Sequence, residues 1–594
     1  MTKKRKTRAI TGVTAASVVL SAGLIAGCGA SAGQPSAQSR NSTAPVSAAS
    51  VQPVQKGGTL VVALAPSTNI DWYLPLTNAA NASIYNAALQ ILLYPGVIYI
   101  GSNYAIDWND SFASSIDYNA SGTVYTIHLK KNWVWSDGKP VTAQDVVWDY
   151  DLIKATDAPN APAPWPNYNA GSGGVPDNVK SVVALDKYTV QITLKKPVNQ
   201  QWFIYNGIGQ LTALPEHAWN KYPNNMTQEI EYLGKEATNP SFFNVVDGPF
   251  KLVTAKQNQE WVLTPNPTFG GHKSTLNKLI FQYEGSADAE FAALRSGTIG
   301  LGYLDPSQWN SRNSLLQMGY TIVPAYNFGY YFIELNLQKG SPLYSAFNDL
   351  KVREALEYAM NQNEIDQDIY HGFAPPLYGP IPSQPKTVFY DPSLNNLFAY
   401  NPAKAKQLLE SDGWKLENGV MTKDGQKLQF TMLVSSGSES TIQEAELVQQ
   451  DWKQIGVDVT LQEMPFNQEI GIMSDTKNPG KWAAAAGTGI TYGGSYPSGE
   501  LLFEPGGLDN FGYSDPTADK LIAKTTEPVS SQAENLKNFF AYEDYIAKQL
   551  PVLWQNVPAN ITVIAPNVHD ATTQVLNPTT GYSLLNYIWM SSNK

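Results

Sequence analysis

Tyr125-Thr-Ile-His-Leu-Lys-Lys-Asn-Trp-Val-Trp-Ser-Asp-Gly-Lys-Pro-Val-Thr-Ala-Gln-Asp-Val-Val-Trp148 is the stretch from which the fold is best read. Val124–Leu129 alternates β-branched and aromatic residues with polar ones and reads as a strand. Lys130-Lys131-Asn132 turns the chain into Trp133-Val134-Trp135, and Ser136-Asp137-Gly138-Lys139 reads as a second turn. Thr142-Ala-Gln-Asp145 is a helix start, in which the Thr142 hydroxyl caps the first turn and Asp145 faces the positive end of the helix dipole. The helix Asp145–Lys154 then places Val146, Val147, Tyr150 and Ile153 at helical spacing on a buried face. Trp133, Trp135 and Trp148 are assigned to the core.

The same alternation of strand and helix continues outward. Gly57–Leu64, Lys187–Leu194 (with Tyr188, Val190, Ile192 and Leu194 inward), Gly248–Val253, Leu279–Tyr283, Leu428–Val434 and Val457–Gln462 read as strands. Ala287–Arg295, Val352–Met360, Glu364–Tyr370, Pro402–Ser411 and Thr441–Ile455 read as helices. Alternating elements of this kind make mixed α/β layers. No internal repeat of fixed period is present.

Lys3, Lys4, Arg5, Lys6 and Arg8 precede an apolar, small-residue run that stops at Ile25-Ala26-Gly27-Cys28. This pattern is that of an export signal and resembles a bacterial lipobox, in which the cysteine is acylated and becomes the new N-terminus. Cys28 is the single cysteine of the 594 residues, so no intramolecular disulfide is possible. Residues 1–27 are therefore expected to be a lipoprotein signal peptide. Residues 28–56, rich in Ser, Ala, Pro and Gln, read as the lipidated cysteine and a flexible tether. After Cys28 no run of about eighteen apolar residues follows, so no further membrane span is expected. The whole chain carries 40 Lys plus Arg against 51 Asp plus Glu; removing the five basic residues of the leader leaves 35 against 51, a net charge of −16. That balance argues against nucleic acid as a partner. The 15 Trp, 32 Tyr and 20 Phe are an aromatic excess suited to a ligand cleft.

The stretch quoted first resembles a block of the family 5 extracellular solute-binding proteins of ABC importers, the group of oligopeptide-, dipeptide- and nickel-binding lipoproteins. Shared positions include Leu129, Asp137, Gly138, Pro140, Thr142, Ala143, Asp145, Val146 and Val147. Further segments are similar to the family in the same order. They are Leu214-Pro-Glu-His-Ala-Trp219, Asp247-Gly-Pro-Phe-Lys-Leu252, Asn266-Pro-Thr-Phe-Gly-Gly271, Ala293-Leu-Arg-Ser-Gly297, Asp349–Met360, Pro380-Ile-Pro382 and Gly512–Pro516. The resemblance covers about residues 57–594. It implies an α/β, two-lobed, periplasmic-binding-protein-like fold with a cleft between the lobes and two hinge crossings. By that analogy residues 57–325 and 556–594 form lobe 1, with an inserted subdomain at about 100–215, and residues 326–555 form lobe 2. It implies a monomeric, extracytoplasmic protein, lipid-anchored to the cell membrane, that delivers a ligand to the permease subunits of an ABC transporter and uses no cofactor.

One segment departs from the family. Peptide-binding members carry an aspartate in a "W-x-x-D-x-x-D-P" stretch that pairs with the peptide's α-ammonium. The matching region here, Gly487–Gly499 (GTGITYGGSYPSG), holds no aspartate. An oligopeptide is the expected ligand, with either another carboxylate in that role or an oligosaccharide as the alternative. Candidate ligand-binding residues are Tyr326, Asn327 and Phe328 at the first crossing, Tyr492, Gly493, Gly494 and Tyr496 in the departing loop, and Trp554 and Gln555 before the second crossing. The histidines His128, His217, His272, His371 and His569 show no metal-ligand spacing, and no metal is expected; His371 is the first suspect for nickel. No Gly-Gly pair, including Gly173-Gly174, belongs to a phosphate-binding loop. Gly29-Ala-Ser-Ala-Gly33 lies in the tether without the strand and helix that a nucleophile elbow needs. Asp149/Asp151 and Asp366/Asp368 read as solvated helix faces. An enzyme is therefore not expected; a secreted glycan- or peptide-degrading enzyme is the alternative of another class, and it needs two carboxylates across the substrate, for which no pair stands out.

Overall fold

Two mixed β-sheets carry the architecture. The computed structural model describes residues 54–504, 511–571, 577, 581 and 583–592. The leader, Cys28 and most of the tether lie outside the described residues. The first sheet has seven strands in the spatial order Thr321–Ala325, Asn560–Ile564, Leu301–Tyr303, Thr59–Ala63, Lys278–Gln282, Glu260–Pro265 and Phe250–Lys256. Thr59–Ala63 runs parallel to its two neighbours and the other pairings are antiparallel. The second sheet has five strands in the order Asp458–Met464, Gln429–Ser435, Ala484–Thr491, Gly329–Leu335 and Leu553–Gln555.

The chain passes between these sheets twice. Residues 326–328 join Thr321–Ala325 to Gly329–Leu335, and residues 556–559 join Leu553–Gln555 to Asn560–Ile564. The two passages lie side by side, because their strands pair on both sides: Ala325 with Asn560 in the first sheet and Tyr331 with Gln555 in the second. Paired short crossings of this kind permit rotation of one lobe against the other while fixing the axis.

A third sheet, antiparallel and four-stranded, hangs off the first lobe in the order Ala113–Tyr118, Val124–Leu129, Thr189–Leu194, Val179–Asp186. The strand read at Val124–Leu129 is present with those bounds, and its buried residues alternate. The helix after it runs Ala143–Thr156, and Asp145 accepts both the backbone N–H (2.8 Å) and the hydroxyl (2.9 Å) of Thr142. Trp133, Trp135 and Trp148 are buried. Three details differ from the sequence reading. Tyr188 is half-buried because it sits in the turn before Thr189–Leu194, its N–H on the Asp186 carboxylate at 2.8 Å. Val147 is half-buried at the margin of its helix. Asp149 is not solvated: it is buried under residue 212, whose N–H it accepts at 2.9 Å, and burial pushes its carboxyl up to about 8. Asp151 and Asp368 are exposed and Asp366 is half-buried.

Four of the segments that carry the family resemblance meet under this third sheet. His217 Nε2 and an Asp137 carboxylate oxygen lie 2.8 Å apart. Ser136 Oγ donates to Asn244 O and accepts from Val246 N–H, both at 3.1 Å. Asn266 Nδ2 donates to Gly248 O, and Asn132 Nδ2 to Gly270 O, each at 2.8 Å. Gly270 is required there: a Cβ would stand 2.2 Å from the Trp133 ring. Burial pushes Asp137 up, but the Lys139 N–H and His217 outweigh it and hold the carboxyl below its usual value. Burial, with Asp145 alongside, pushes Asp247 well up. In the second lobe the buried Arg353 gives Nη1 to Phe347 O (2.7 Å) and Nη2 to Gln549 O (3.0 Å), pinning the end of the helix Gln532–Gln549.

Candidate functional site

The loop that follows the strand Ala484–Thr491 is shaped by glycine. Gly493 and Gly494 take φ of 61° and 90°, conformations that L side chains avoid. They turn the chain so that Tyr492 faces its own lobe while Ser495, Tyr496 and Glu500 reach the first. Tyr492 donates its hydroxyl to Pro380 O at 2.7 Å, and its N–H to Phe328 O at 2.9 Å. Tyr496 donates its N–H to Asn206 Oδ1 at 2.6 Å, and Asn206 Nδ2 returns a bond to Tyr496 O at 3.2 Å.

Glu500 is the main polar connection between the lobes. Its carboxylate accepts Trp202 Nε1–H and Asn206 Nδ2–H at 2.6 Å, and Ser172 Oγ–H and Gly173 N–H at 3.3 Å. All four donors are neutral, and burial pushes the Glu500 carboxyl up. Gly171, Gly173 and Gly174 all take positive φ, which aims the Gly173 N–H outward. Asn199 adds Nδ2–H bonds to Thr525 O (3.1 Å) and Asn535 Oδ1 (2.9 Å).

At the other end of the interface, Asp305 of the first lobe docks on the start of the helix Glu439–Gln454. It accepts Ser438 Oγ–H at 2.8 Å, Ser440 Oγ–H at 3.2 Å and Ser440 N–H at 3.3 Å. A carboxylate is favourable at that positive helix end. His371 Nε2 lies 3.1 Å from Pro306 O and its ring stacks on Trp309. Among the described residues, no group of three or more His, Cys, Asp or Glu is placed to hold a metal ion.

Between these ends runs a row of rings and carboxyls. In the first lobe Glu290 is buried and accepts Tyr303 N–H. In the second lobe Glu444 is buried and accepts Tyr370 Oη–H at 2.6 Å and Gln555 Nε2–H at 2.9 Å. Burial raises the Tyr85 hydroxyl well up, with Tyr331, Tyr303 and Glu290 adding to it. Burial likewise raises Tyr331, with Glu444 beside it. Burial pushes Glu290 to about 8 and Glu444 to about 7.

The residues singled out from sequence divide accordingly. Phe328 and Tyr492 pack together, ring centres 4.8 Å apart, and Tyr496 lies in the same cluster. Gln555 faces Glu444. Asn327 is buried, and its Oδ1 has no hydrogen-bond partner among the described residues. Tyr326 is half-buried, its hydroxyl raised by burial and by Asp366. Gly493 and Gly494 act through backbone shape. Trp554 is the exception. Its ring packs on Tyr330 and Phe503 inside the second lobe, and its Nε1–H goes to Ala547 O at 3.2 Å. Neighbouring residues of a strand face opposite sides, so Gln555 and Trp554 cannot both face the interface. Sequence reasoning missed Tyr104, Tyr205, Asn206, Asp305, Glu444 and Glu500, none of which stands in a motif; the one available signal was the glycine run 171–174.

Residues 109–505 match the family described as bacterial extracellular solute-binding proteins, family 5. The chain is 26% identical over 541 residues to the oligopeptide-binding protein AppA of Bacillus subtilis, across 89% of this chain and 91% of AppA. The structure of that AppA with a nonapeptide aligns with a TM-score of 0.78 at 24% identity, over 91% of this chain and 100% of the AppA chain. NikZ of Campylobacter jejuni, solved with Ni(L-His), reaches 0.72 at 21% identity, over 89% of this chain and 99% of NikZ. One fold thus accommodates a nonapeptide and a nickel–histidine complex, so the fold alone does not choose the ligand.

Proposed function

The chain belongs to the bacterial extracellular solute-binding proteins of family 5, the solute-binding components of ABC importers, and on that premise we propose that its solute is an oligopeptide held between the two lobes. Its lobes are residues 57–325 with 556–594, including an insert at about 100–215, and residues 326–555. They close by rotation about the paired crossings. The family is one of binding proteins rather than enzymes. The body hangs from the membrane on an acylated Cys28, behind a signal peptide of residues 1–27.

The observation that carries the peptide reading is Glu444, a buried carboxyl of the second lobe held by the neutral donors Tyr370 Oη–H and Gln555 Nε2–H, with no lysine or arginine bonded to it among the described residues. A peptide brings an ammonium group that such a carboxyl can receive, and apolar side chains that suit aromatic walls. A buried ammonium needs a buried anion. With no aspartate in the Gly487–Gly499 loop, Glu444 is the carboxylate nearest to that role from the second lobe. The same missing aspartate favours the second reading, an oligosaccharide stacked on the tyrosines.

Mass spectrometry of small molecules released by denaturing the purified protein distinguishes the two. Peptides are the expected release; sugars alone would overturn the peptide reading. Peptides of two to nine residues should also raise the melting temperature by mass action. Cys28→Ser should move the protein from the membrane fraction to the medium or periplasm, and full membrane retention would refute the lipid anchor.

A further inference from the structure

Tyr104 is an unusual occupant of the interface. It stands at the tip of a short turn closed by a bridge between Ile100 and Ile106 and by Gly101 N–H to Ala105 O at 2.7 Å. Ser102, Asn103 and Ala105 around it are exposed, so the turn is covered on one side only. Tyr104 takes φ of 61°, a left-handed conformation that is unfavourable for a bulky side chain.

From that turn the ring enters the interface between the lobes. It stacks on Tyr205 at 5.2 Å with planes 16° apart. It meets Phe328 edge-on at 5.8 Å and Phe389 at 5.5 Å. Its hydroxyl donates to Ser495 O, in the loop that lacks the aspartate. Tyr205 Oη–H fixes the turn through Tyr104 O at 2.8 Å. A core tyrosine is normally set on a strand or helix whose backbone bonds hold it there. This one is set on a strained surface turn, and its partners form a complete box for a phenol: a stacking face, two edge contacts and one acceptor.

We propose that this box is an aromatic side-chain pocket for the ligand, and that Tyr104 is a built-in stand-in that fills it when no ligand does. The ring the pocket takes is aromatic with a hydroxyl donor, and Tyr104 withdraws with its turn to admit it. Tyr104 thereby sets which side chains are accepted. Only the identity of the incoming ring as part of a peptide rests on the oligopeptide reading; the pocket itself does not.

The test uses p-cresol as the probe and the mature protein with Tyr104→Gly, a residue that suits the left-handed backbone. The variant should fold with a native circular dichroism spectrum and bind p-cresol at least ten-fold tighter than wild type by titration calorimetry. Toluene, which cannot donate to Ser495 O, should bind several-fold more weakly than p-cresol. A folded variant with wild-type p-cresol affinity would overturn the proposal. So would a variant that fails to fold, since the ring would then be a core residue. In the wild type, a tyrosine-containing peptide that binds should increase nitration of Tyr104 by tetranitromethane, read by mass spectrometry, and protection instead of exposure would also count against it. Binding of p-cresol without any peptide binding would leave the pocket standing and refute the peptide reading alone.

Discussion

The packing under the third sheet and the interface between the lobes are built from the same residue types but to different ends. Under the third sheet, Asp137, His217, Asn266 and Gly270 tie four separated segments to one another around Trp133. Their partners lie within one lobe, so these bonds persist whatever the lobes do. At the interface, Tyr104, Glu500 and Asp305 bond to residues of the opposite lobe. Those bonds must break when the lobes part. The first region sets whether the protein folds; the second sets how readily it opens.

Exchanging one large core residue should show this most strongly. Trp133→Ala should remove about 3–5 kcal/mol of stability, seen as a large fall in the urea midpoint, while peptide affinity of the folded fraction stays within about two-fold. An affinity loss as large as the stability loss would erase the distinction between the regions.

Glu500→Ala should do the reverse. It removes the acceptor of four donors, leaving Trp202 Nε1 unpaired and Asn206 Nδ2 with only Tyr496 O when the lobes close. The closed form should lose on the order of 2 kcal/mol relative to the open one. Small-angle scattering of the empty protein should show a larger radius of gyration, with the urea midpoint little changed. An unchanged radius would remove Glu500 from the connection between lobes.

The pH dependence sharpens the same contrast. Burial raises Glu444 to about 7 and Glu290 to about 8 from an ordinary 4.5. A carboxyl raised in this way binds more protons when buried, so its share of stability is fully present below about pH 4.5 and is lost as pH climbs through 7 to 8. The melting temperature of the empty protein should therefore fall between pH 5 and pH 8.5, and Glu444→Gln should flatten part of that slope. Binding of a peptide ammonium should have the opposite sign and tighten from pH 5 to about 7, until the peptide's own α-amino group begins to lose its proton near pH 8, as calorimetry at several pH values would read.

The smallest effect is expected at the Asp305 end. Asp305→Asn keeps the geometry but removes the charge at the helix start, which should shift closure by roughly 0.5–1 kcal/mol. The scattering change should be a fraction of that for Glu500→Ala.

The strand Val124–Leu129, the helix after it and the burial of Trp133, Trp135 and Trp148 were legible because they follow from local alternation, capping and side-chain size. The helix Pro402–Ser411 was legible with its bounds, since Asn401 caps it and Pro402 opens it. Asp149 was misread because its neighbours on the helix say nothing about the distant residue 212, bridged to Gly96, whose N–H it accepts. Trp554 was misplaced because a strand three residues long gives too little alternation to assign its faces.

The sequence alone determined the export signal pattern, the single Cys28, the α/β alternation and the family-like segments, because each is a property of residues close together in the chain. Only the tertiary structure decided which groups meet between the lobes. Glu500 lies some 300 residues from the donors that hold it, at separations of 298 from Trp202 and 294 from Asn206, and Tyr104 lies 391 from Ser495. Contacts over such separations leave no periodic trace in the chain, since they arise from how the two lobes dock on the paired crossings.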